Sequence, residues 1–338
     1  MTHTRFVALS RHLPTGRIEP DLFTLTTKEL PRLRDGQLLL RPLAFSVDAT
    51  LRGQLTGNDG YFLPQIPVGA AVTGLAVSEV TASRHPGHQP GDRVVSQAEW
   101  ADLSIWPPHG TWLEPAPVDP RIRRPSRALG VFGLLGGVTA HTGIIEAGQV
   151  GAGESVVVSA AAGNVGSLAG QIATIRGARV LGLAGSERKR RILTEDLGFD
   201  AALDYRAADL DERIRAWAPQ GPDLYFDSVG GEISRTVMAT MRRPARIVVC
   251  GLISTYDDDT AWTVDITPVY GNGLTLQGYT PLQFPDALPA ALDHLIDWVE
   301  NGRLIPLETE RHGLEALPGA ISGLFRGENI GKMIVTMS

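Results

Sequence analysis

The 338-residue sequence has a single cysteine, Cys250, and only three lysines. One cysteine cannot form an internal disulfide or supply a thiolate-rich zinc site, so we expect a reducing, cytoplasmic compartment and no metal. The formal net charge of −6 lacks the basic excess that neutralises phosphates, so we expect neither nucleic acid nor a membrane as partner. Hydrophobic residues at 43% predict a sizeable core, and the length suits two domains.

Charged residues are also missing from the stretch 155–175, which is long enough to cross a bilayer. Gly163 and Gly166 interrupt this stretch, and Asn164 would be stranded in lipid. Its beginning, Val156-Val157-Val158, has the β-branched character of a buried strand. The stretch therefore predicts a strand, a turn and a helix.

The first 125 residues are rich in Pro and Gly and contain short alternating stretches typical of strands. Strands and helices alternate after that point, which predicts an α/β fold with a parallel sheet. We place the domain boundaries at 1–126, 127–302 and 303–338, with the last segment returning to the first domain. The predicted strands are 155–159, 179–184, 224–227, 246–250 and 332–335, and the predicted helices are 165–176, 187–196 and 285–301.

An apolar strand runs directly into a small-residue turn and a helix in the segment 156–166. Small residues let the backbone approach a pyrophosphate, Gly166 permits close packing of helix on strand, and the helix N-terminus presents unpaired N–H groups. The motif alone is weak, but a strand on each side of the helix strengthens it. We interpret the segment as a dinucleotide-binding loop.

The end of the next strand bears on the choice of cofactor. NAD sites place a carboxylate about 20 residues beyond the glycines, where it binds the ribose 2′-hydroxyl. Here the sequence is Ala184-Gly185-Ser186, followed by Glu187-Arg188-Lys189. Neutral residues followed by cations suit a 2′-phosphate, so we favour NADP over NAD, although Arg190 and Arg191 are equally well explained as a solvated helix face.

Motifs of other enzyme classes are missing. The eight histidines show no His-x-x-x-His spacing, and no Gly-x-Ser-x-Gly elbow occurs. Metal-free hydride transfer is the reaction class that suits the dinucleotide loop.

Five motifs occur in the order seen in a known family: Gly137 to Ala140, Ser159 to Gly166, Phe226 to Gly231, Cys250 to Tyr256, and Gly327 to Lys332. Over nearly its whole length the chain resembles the zinc-independent medium-chain dehydrogenases/reductases, specifically the group of prostaglandin and leukotriene reductases, alkenal double-bond reductases and curcumin reductases. The resemblance implies a GroES-like β-rich catalytic domain and a Rossmann doubly wound parallel sheet. It also implies NADP, a small-molecule substrate and a homodimer.

The resemblance further implies which residues bind the cofactor. The pyrophosphate would lie on the glycine-containing loop, the 2′-phosphate near Lys189, and the nicotinamide and its ribose against later loops. In chain order these residues are Gly163, Asn164, Val165, Gly166, Ser186, Arg188, Lys189, Tyr205, Ser228, Cys250, Gly251, Ile253, Ser254, Tyr279 and Asn329. For Asn329 the alternative role is turn formation.

Tyr256 is the predicted catalytic residue because the resemblance implies a position beside the nicotinamide, although it could simply be a packed aromatic. Hydride addition to the β-carbon of an enone leaves negative charge on the carbonyl oxygen, which a hydrogen-bond donor must stabilise. A tyrosine hydroxyl has a reference pKa of about 10 and can donate at neutral pH. We hypothesise that Tyr256 supports the enolate and helps to protonate the α-carbon.

Four positions are implied to line the substrate pocket: Thr50, Trp100, Leu103 and His141. Relatives commonly have Tyr at the positions of Thr50 and His141, Tyr or His at the position of Leu103, and Asn at the position of Ser228. An altered pocket follows from these departures. His141 is either a donor or acid, or a histidine hydrogen-bonded within a helix start.

The expected function is NADPH-dependent reduction of the carbon–carbon double bond of α,β-unsaturated ketones or aldehydes. Two alternatives stay open. One is an NADPH:quinone oxidoreductase, and the other is a non-catalytic NADPH-binding protein.

Overall fold

The computed structural model describes residues 2–58, 63–257, 263–264 and 266–337, which form two compact units. Unit 1 comprises Met1–Gly130, Tyr256–Asp259 and Glu308–Ser338, and unit 2 comprises Val131–Thr255 and Thr260–Leu307. The chain therefore passes from unit 2 to unit 1 between Thr255 and Tyr256.

The elements are numbered in chain order. The strands are β1 (His3–Leu9), β2 (Phe23–Glu29), β3 (Leu38–Ser46), β4 (Thr73–Ser83), β5 (Arg93–Glu99), β6 (Ser104–Trp106), β7 (Ala116–Pro117), β8 (Ser155–Val158), β9 (Arg179–Leu183), β10 (Ala201–Leu203), β11 (Leu224–Asp227), β12 (Ala245–Val249), β13 (Leu274–Gly278), β14 (Glu308–His312) and β15 (Lys332–Thr336). The α-helices are α1 (Leu51–Gln54), α2 (Thr139–Thr142), α3 (Asn164–Ile175), α4 (Glu187–Arg191), α5 (Leu210–Trp217), α6 (Gly231–Met238), α7 (Ile266–Asn272), α8 (Leu288–Glu300) and α9 (Leu317–Phe325). Short 3-10 helices occur at Pro20–Leu22, Pro125–Ala128, Ile253–Thr255, Pro281–Gln283, Pro285–Ala287 and Leu314–Ala316, and π-helical turns at Leu134–Val138, Gly143–Ala147 and Ile192–Asp196.

Unit 1 is built on a sheet whose strands run in the order β14-β15-β3-β4-β5-β7, with β6 also paired to β3. The pairs are antiparallel apart from β14 with β15. The C-terminal strand β15 lies beside β3, with Ile334 opposite Ser46. Phe45, Trp100 and Met333 are buried in the core of this unit.

Unit 2 contains a six-stranded parallel sheet in the order β10-β9-β8-β11-β12-β13. Numbered within the unit, this order is 3-2-1-4-5-6, which is the order of doubly wound dinucleotide-binding sheets. Val156, Val157 and Val158 have no exposed surface, as expected for a parallel strand covered on both faces. The α/β fold class predicted from the sequence is confirmed.

One predicted helix differs from the structure. The helix expected over 187–196 is α-helical only to Arg191 and continues as the π-helical turn Ile192–Asp196. Leu193 in this turn packs against Gly182 of β9, where a Cβ would lie 2.7 Å from the Leu193 Cδ1 atom.

The direction of the winding reverses between β8 and β11. These strands are neighbours, but the chain continues from β8 to β9 on one side and from β11 to β12 on the other. Ligands of open α/β sheets bind outside the carboxyl ends of the strands at such a point. The loops that follow Val158 and Asp227 therefore form the candidate dinucleotide site.

Among the described residues, none of the helices combines the length and the apolar character needed to traverse a bilayer.

Candidate dinucleotide and substrate site

The predicted cofactor residues of unit 2 all follow the carboxyl ends of its parallel strands. Because these ends meet at one edge of the sheet, the fold brings the residues to a common edge, which we call the carboxyl edge. It consists of Gly163 to Gly166 after β8, Ser186, Arg188 and Lys189 after β9, Tyr205 after β10, Ser228 after β11, Cys250, Gly251, Ile253 and Ser254 after β12, and Tyr279 after β13.

The turn after β8 is tight. Ala160 has a left-handed φ of 47°, and the Gly163 N–H donates to the Ala160 carbonyl at 2.8 Å. A Cβ on Gly166 would lie 2.5 Å from the same carbonyl oxygen. Only glycine fits at position 166 without a shift of the backbone, and the helix can therefore start close to the strand.

Helix α3 begins at Asn164, with Gly163 in extended conformation at its N-cap. The Asn164 amide donates to the Leu135 carbonyl at 3.3 Å, and Val165 packs against the core of the unit. N–H groups in the first turn of a helix lack intrahelical acceptors and suit an anion.

A cation, a hydroxyl and an aromatic ring follow β9 and β10. The Ser186 hydroxyl caps α4 by accepting the Lys189 N–H at 3.3 Å. The Tyr205 ring lies against Gly185, where a Cβ would be 2.9 Å from the ring. Burial lowers the pKa of the half-buried Lys189.

The neighbouring arginines pair with carboxylates. Arg190 Nη1 lies 3.1 Å from Asp204 Oδ2, and Arg191 Nε lies 2.9 Å from Glu195 Oε1. Because both side chains are paired with carboxylates, Arg190 and Arg191 fit the alternative interpretation, in which they belong to a solvated helix face. Arg188 is exposed in the first turn of the same helix.

A buried carboxylate, missed as a functional group in the sequence, organises the loop after β11. Asp227 ends this strand with no exposed surface. Its Oδ1 accepts hydrogen bonds from Tyr225 Oη at 2.9 Å, Ser159 Oγ at 3.1 Å, Val229 N at 2.9 Å and Gly230 N at 3.0 Å, and its Oδ2 accepts one from Ser234 Oγ. The sequence signal for this role is the position of Asp227, an acidic residue at the end of the apolar strand Leu224–Asp227.

The same network extends to the turn after β8. The Ser159 hydroxyl donates to Asp227 and accepts the Ser228 N–H at 2.9 Å. Burial, followed by the charge of Asp227, raises the pKa of Tyr225, so this phenol stays a donor. Asp227 thus links the two loops at the point where the winding reverses.

The loops after β11 and β12 pack on each other. The Ser254 N–H and hydroxyl both donate to the Val229 carbonyl, at 3.0 and 2.6 Å. Gly231 has a left-handed φ of 65°, and a Cβ there would lie 2.9 Å from Ser254 Oγ. The Ile253 N–H donates to the Ser228 carbonyl at 3.4 Å, so the 3-10 helix Ile253–Thr255 rests on this loop.

Two polar side chains of this region differ in what they can do. Burial raises the pKa of Cys250 to about 12, so its thiol stays protonated and is a poor nucleophile. Within the described part of the chain, the buried Ser228 hydroxyl has no oxygen or nitrogen partner, and its neighbour is the Cys250 thiol. An orphaned hydroxyl at the carboxyl edge fits a polar ligand that occupies this edge.

Tyr279 is buried, and its hydroxyl has partners inside unit 2. It donates to the Thr139 carbonyl at 2.8 Å and shares a short hydrogen bond with the Thr142 hydroxyl. Burial raises the pKa of Tyr279 well above its ordinary value. The phenol therefore ties β13 to α2.

His141 is also held within unit 2. Its side chain is 2% exposed, its Nε2 lies 3.0 Å from the Nδ1 of His294, and its ring stacks on Trp298 with centroids 5.6 Å apart. Burial, together with the charges of His294 and Arg176, lowers the pKa of His141 to about 4. The imidazole is therefore neutral at neutral pH.

Tyr256 and Asn329 belong to unit 1. Tyr256 is half-buried, and the next residue, Asp257, accepts the Gly16 N–H at its carbonyl at 2.6 Å. The Asn329 amide is buried and donates to the Gly331 carbonyl at 2.8 Å. This bond is the turn-forming role that the sequence offers as an alternative for Asn329.

The predicted pocket residues of unit 1 have different environments. Thr50 is half-buried and immediately precedes α1, and Leu103 is half-buried with both its N–H and its carbonyl bonded to the Thr4 hydroxyl. Trp100 has no exposed surface and packs on Phe23 in the core, with ring centroids 5.9 Å apart. A side chain so enclosed does not support the prediction that Trp100 contacts a substrate.

A buried ion pair in unit 1 was not anticipated from the sequence. Lys332 is 3% exposed, and its ammonium pairs with Asp48 Oδ1 at short range and lies 3.4 Å from the Val47 carbonyl. The Ser46 hydroxyl donates to the other oxygen of Asp48. Lys332 is one of only three lysines in the chain, and its position in the sequence does not show which acidic residue it would meet.

Comparison with known proteins connects both units to one family. A family model described as "N-terminal domain of oxidoreductase" matches residues 5–113, and one described as "Zinc-binding dehydrogenase" matches residues 164–297. The NADPH-dependent curcumin reductase of Escherichia coli (strain K12) is 34% identical over 99% of this chain and 96% of its own. Prostaglandin reductase 1 of Bos taurus is 36% identical over 99% of both chains. The chain belongs to the zinc-independent medium-chain dehydrogenases/reductases.

The fold of this dehydrogenase/reductase also matches solved structures. The crystal structure of CurA in complex with NADPH from Vibrio vulnificus has a TM-score of 0.90 and 31% sequence identity, with 99% of both chains covered. In the described part of the present chain, no group of three or more His, Cys, Asp or Glu side chains is arranged to hold a metal ion.

Proposed function

We propose that this chain is an NADPH-dependent reductase of the carbon–carbon double bond in α,β-unsaturated ketones or aldehydes. The observation that carries the proposal is similarity over almost the full length to an NADPH-dependent curcumin reductase and to prostaglandin reductase 1. The carboxyl edge supports the proposal, because it has a tight turn at Gly166 that suits a pyrophosphate and a cation, Lys189, beside Ser186 that suits a 2′-phosphate.

The residues of the carboxyl edge fit the cofactor. The loop Gly163 to Gly166 and the start of α3 would bind the pyrophosphate, and Ser186, Arg188, Lys189 and Tyr205 would surround the 2′-phosphate. Ser228, with its orphaned hydroxyl, and the loop Cys250 to Ser254 would lie against the ribose and nicotinamide, together with Tyr279 and Asn329. When bound, NADPH supplies a hydride for the β-carbon of the substrate.

Tyr256 is proposed to support the negative charge that develops on the carbonyl oxygen. Its hydroxyl would donate a hydrogen bond to the enolate oxygen, and a proton delivered to the α-carbon completes the saturated product. We expect Tyr256→Phe to lower kcat by about 100-fold, the loss typical of one oxyanion donor. The dissociation constant of this variant for NADPH, measured by fluorescence quenching, should stay within about twofold of that of the unsubstituted enzyme, because the Tyr256 hydroxyl is not assigned to cofactor binding. An unchanged kcat would remove Tyr256 from the mechanism.

Thr50 and Leu103 are proposed to shape the substrate pocket. Both are half-buried and smaller than the aromatic residues that the family resemblance implies there. Thr50→Tyr and Leu103→Tyr should each raise KM for bulky enones, because the larger side chain fills pocket space. They should change kcat for a small alkenal less, because neither substitution removes a reacting group.

The direct test of the activity is NADPH oxidation, followed by its absorbance, with an alkenal, an aryl enone, a cyclic enone and a naphthoquinone, each repeated with NADH. We expect oxidation with the enones or the alkenal and a strong preference for NADPH. Oxidation with the quinone alone would indicate a quinone reductase. Tight NADPH binding with no oxidation across a wide enone panel would indicate a non-catalytic protein.

A homodimer in the cytoplasm completes the proposal. β13 is the last strand of its sheet, and α7, next to it in sequence, exposes Ile266 at 68% and Tyr270 at 89%. An edge strand beside exposed apolar residues supports self-association. Light scattering should give the mass of two chains, and the mass of one chain would contradict the dimer. The single cysteine supports the cytoplasmic location, which cell fractionation would test.

A further inference from the structure

Arg52 is an arginine enclosed in unit 1. Its side chain is 1% exposed, although it belongs to the short helix α1 that follows Thr50. Nη1 donates to the Leu13 carbonyl at 2.8 Å, and Nη2 donates to the Gly16 carbonyl at 3.1 Å. The guanidinium therefore fixes the loop of residues 13–16.

The buried charge of Arg52 has one counter-ion among the described residues, Asp257. Nε of Arg52 lies 3.6 Å from Oδ1 of Asp257, whose side chain is 43% exposed, and the two facing atoms are themselves buried. A buried guanidinium is costly unless it is paired, so the two groups stabilise each other. The Asp257 carbonyl also accepts the Gly16 N–H at 2.6 Å.

These contacts hold the residue that directly follows Tyr256. Asp257 is fixed twice, at its carboxylate by Arg52 and at its carbonyl by Gly16, and Gly16 is itself fixed by Arg52. The chain enters unit 1 at Tyr256, so the Asp257 contacts act at the first peptide of that segment.

We propose that Arg52 and Asp257 are positioning residues, which fix the backbone at Tyr256 so that its hydroxyl is placed for the reaction. The inference rests on the catalytic role proposed for Tyr256. Arg52 would act on the reaction only through another residue, because its Nη1 and Nη2 atoms donate to carbonyls of loop 13–16 and its Nε atom faces Asp257. A misplaced donor loses rate without losing cofactor affinity.

The test is a double-mutant cycle of Asp257→Asn with Tyr256→Phe in the full chain. We expect Asp257→Asn to lower kcat by about tenfold, with KM for the enone and the NADPH dissociation constant within about twofold. In the Tyr256→Phe background the same substitution should lower kcat by less than about twofold, because the group being positioned is already gone. Asp35→Asn, which removes the partner of the exposed Arg84 at 2.8 Å, is the matched control and should leave kcat unchanged.

The outcomes separate this inference from the role of Tyr256. If Tyr256→Phe is slow while Asp257→Asn has normal kcat, or if the two losses multiply, the positioning role is overturned. If Tyr256→Phe itself has normal kcat, the role of Tyr256 is overturned and the inference falls with it. Arg52→Lys provides a second route, since it keeps the charge but not the fork; we expect a loss of kcat of about tenfold that again disappears in the Tyr256→Phe background.

Discussion

At the carboxyl edge of unit 2, the loops assigned to the cofactor are held by close backbone approach and by hydrogen bonds to the buried Asp227, whereas unit 1 holds its functional segments with ion pairs of buried cations. Gly166 and Gly231 have no room for a side chain, because a Cβ would lie 2.5 Å and 2.9 Å, respectively, from a neighbouring atom. In unit 1, Arg52 and Lys332 reach Asp257 and Asp48 from distant parts of the chain. Close backbone approach therefore restricts the residue type at the position itself, as at Gly166. An ion pair restricts two positions far apart in sequence, and only the tertiary fold shows which two.

The largest expected effect would break the buried pair in unit 1. Lys332→Met leaves Asp48 without its cation in a buried position, and we expect a loss of about 3–5 kcal/mol in the free energy of unfolding. Chemical denaturation measures it. Arg84→Met is the control, because the side chains of Arg84 and its partner Asp35 are 55% and 89% exposed, and loss of this surface pair should cost about 1 kcal/mol or less. Equal losses in the two variants would show that burial of the Lys332 pair adds nothing to its contribution to stability.

His141 is a buried titratable side chain of unit 2, so its burial should make the stability of the protein depend on pH. Burial lowers the pKa of His141 from its ordinary value of 6.5 to about 4 in the folded protein, so between these pH values the unfolded chain binds one proton more than the folded protein. Stability should therefore fall as the pH drops from 6.5 to 4, by roughly 3 kcal/mol from this residue. Urea unfolding of His141→Gln should show a flatter pH dependence, whereas the exposed control His312→Gln should retain the original slope. Identical slopes for all three proteins would contradict the assignment.

Lys189 tests the cofactor side of the comparison. Loss of a charged hydrogen bond to a 2′-phosphate should raise the NADPH dissociation constant of Lys189→Ala by about 10- to 100-fold. NADH affinity should not change, because NADH has no 2′-phosphate. Arg191→Ala, on the same helix but paired with Glu195, is the control and should bind NADPH normally. An equal loss of NADH affinity would show that Lys189 does not act through the 2′-phosphate.

Gly166→Ala is expected to give the smallest of these effects and tests the backbone argument. The new methyl group would meet the Ala160 carbonyl, and strain of this kind costs about 1–3 kcal/mol. Gly271→Ala, at an exposed position of α7 with open space around it, should be neutral or stabilising by up to about 1 kcal/mol. Thermal unfolding distinguishes the two; equal stability would mean that the turn accommodates a side chain.

Local patterns were sufficient for much of unit 2. The strand 224–227 was predicted with the bounds that the structure shows, and the helix predicted over 165–176 is α3, Asn164–Ile175. Apolar runs, glycines and the alternation of elements fix these features within a short window of sequence. The π-helical turn at Ile192–Asp196 was missed because it depends on the packing of Leu193 against Gly182, which the local pattern does not contain.

The supporting groups of the site were harder to predict. Asp227 carries five hydrogen bonds at the switch point, and Lys332 and Arg52 are buried cations, but each depends on partners brought together by the tertiary fold. Trp100 shows the limit of the family resemblance, which implies a pocket residue at a position that the structure buries in the core.

Transfer of deuterium from the cofactor to the substrate is the most direct test of carbon–carbon double-bond reduction. The enzyme would be incubated with an enone and NADPH carrying deuterium at both positions of the nicotinamide C4, and the product analysed by NMR and mass spectrometry. We expect a saturated ketone with one deuterium at the β-carbon and a solvent-derived hydrogen at the α-carbon. An allylic alcohol with deuterium at the former carbonyl carbon would contradict it.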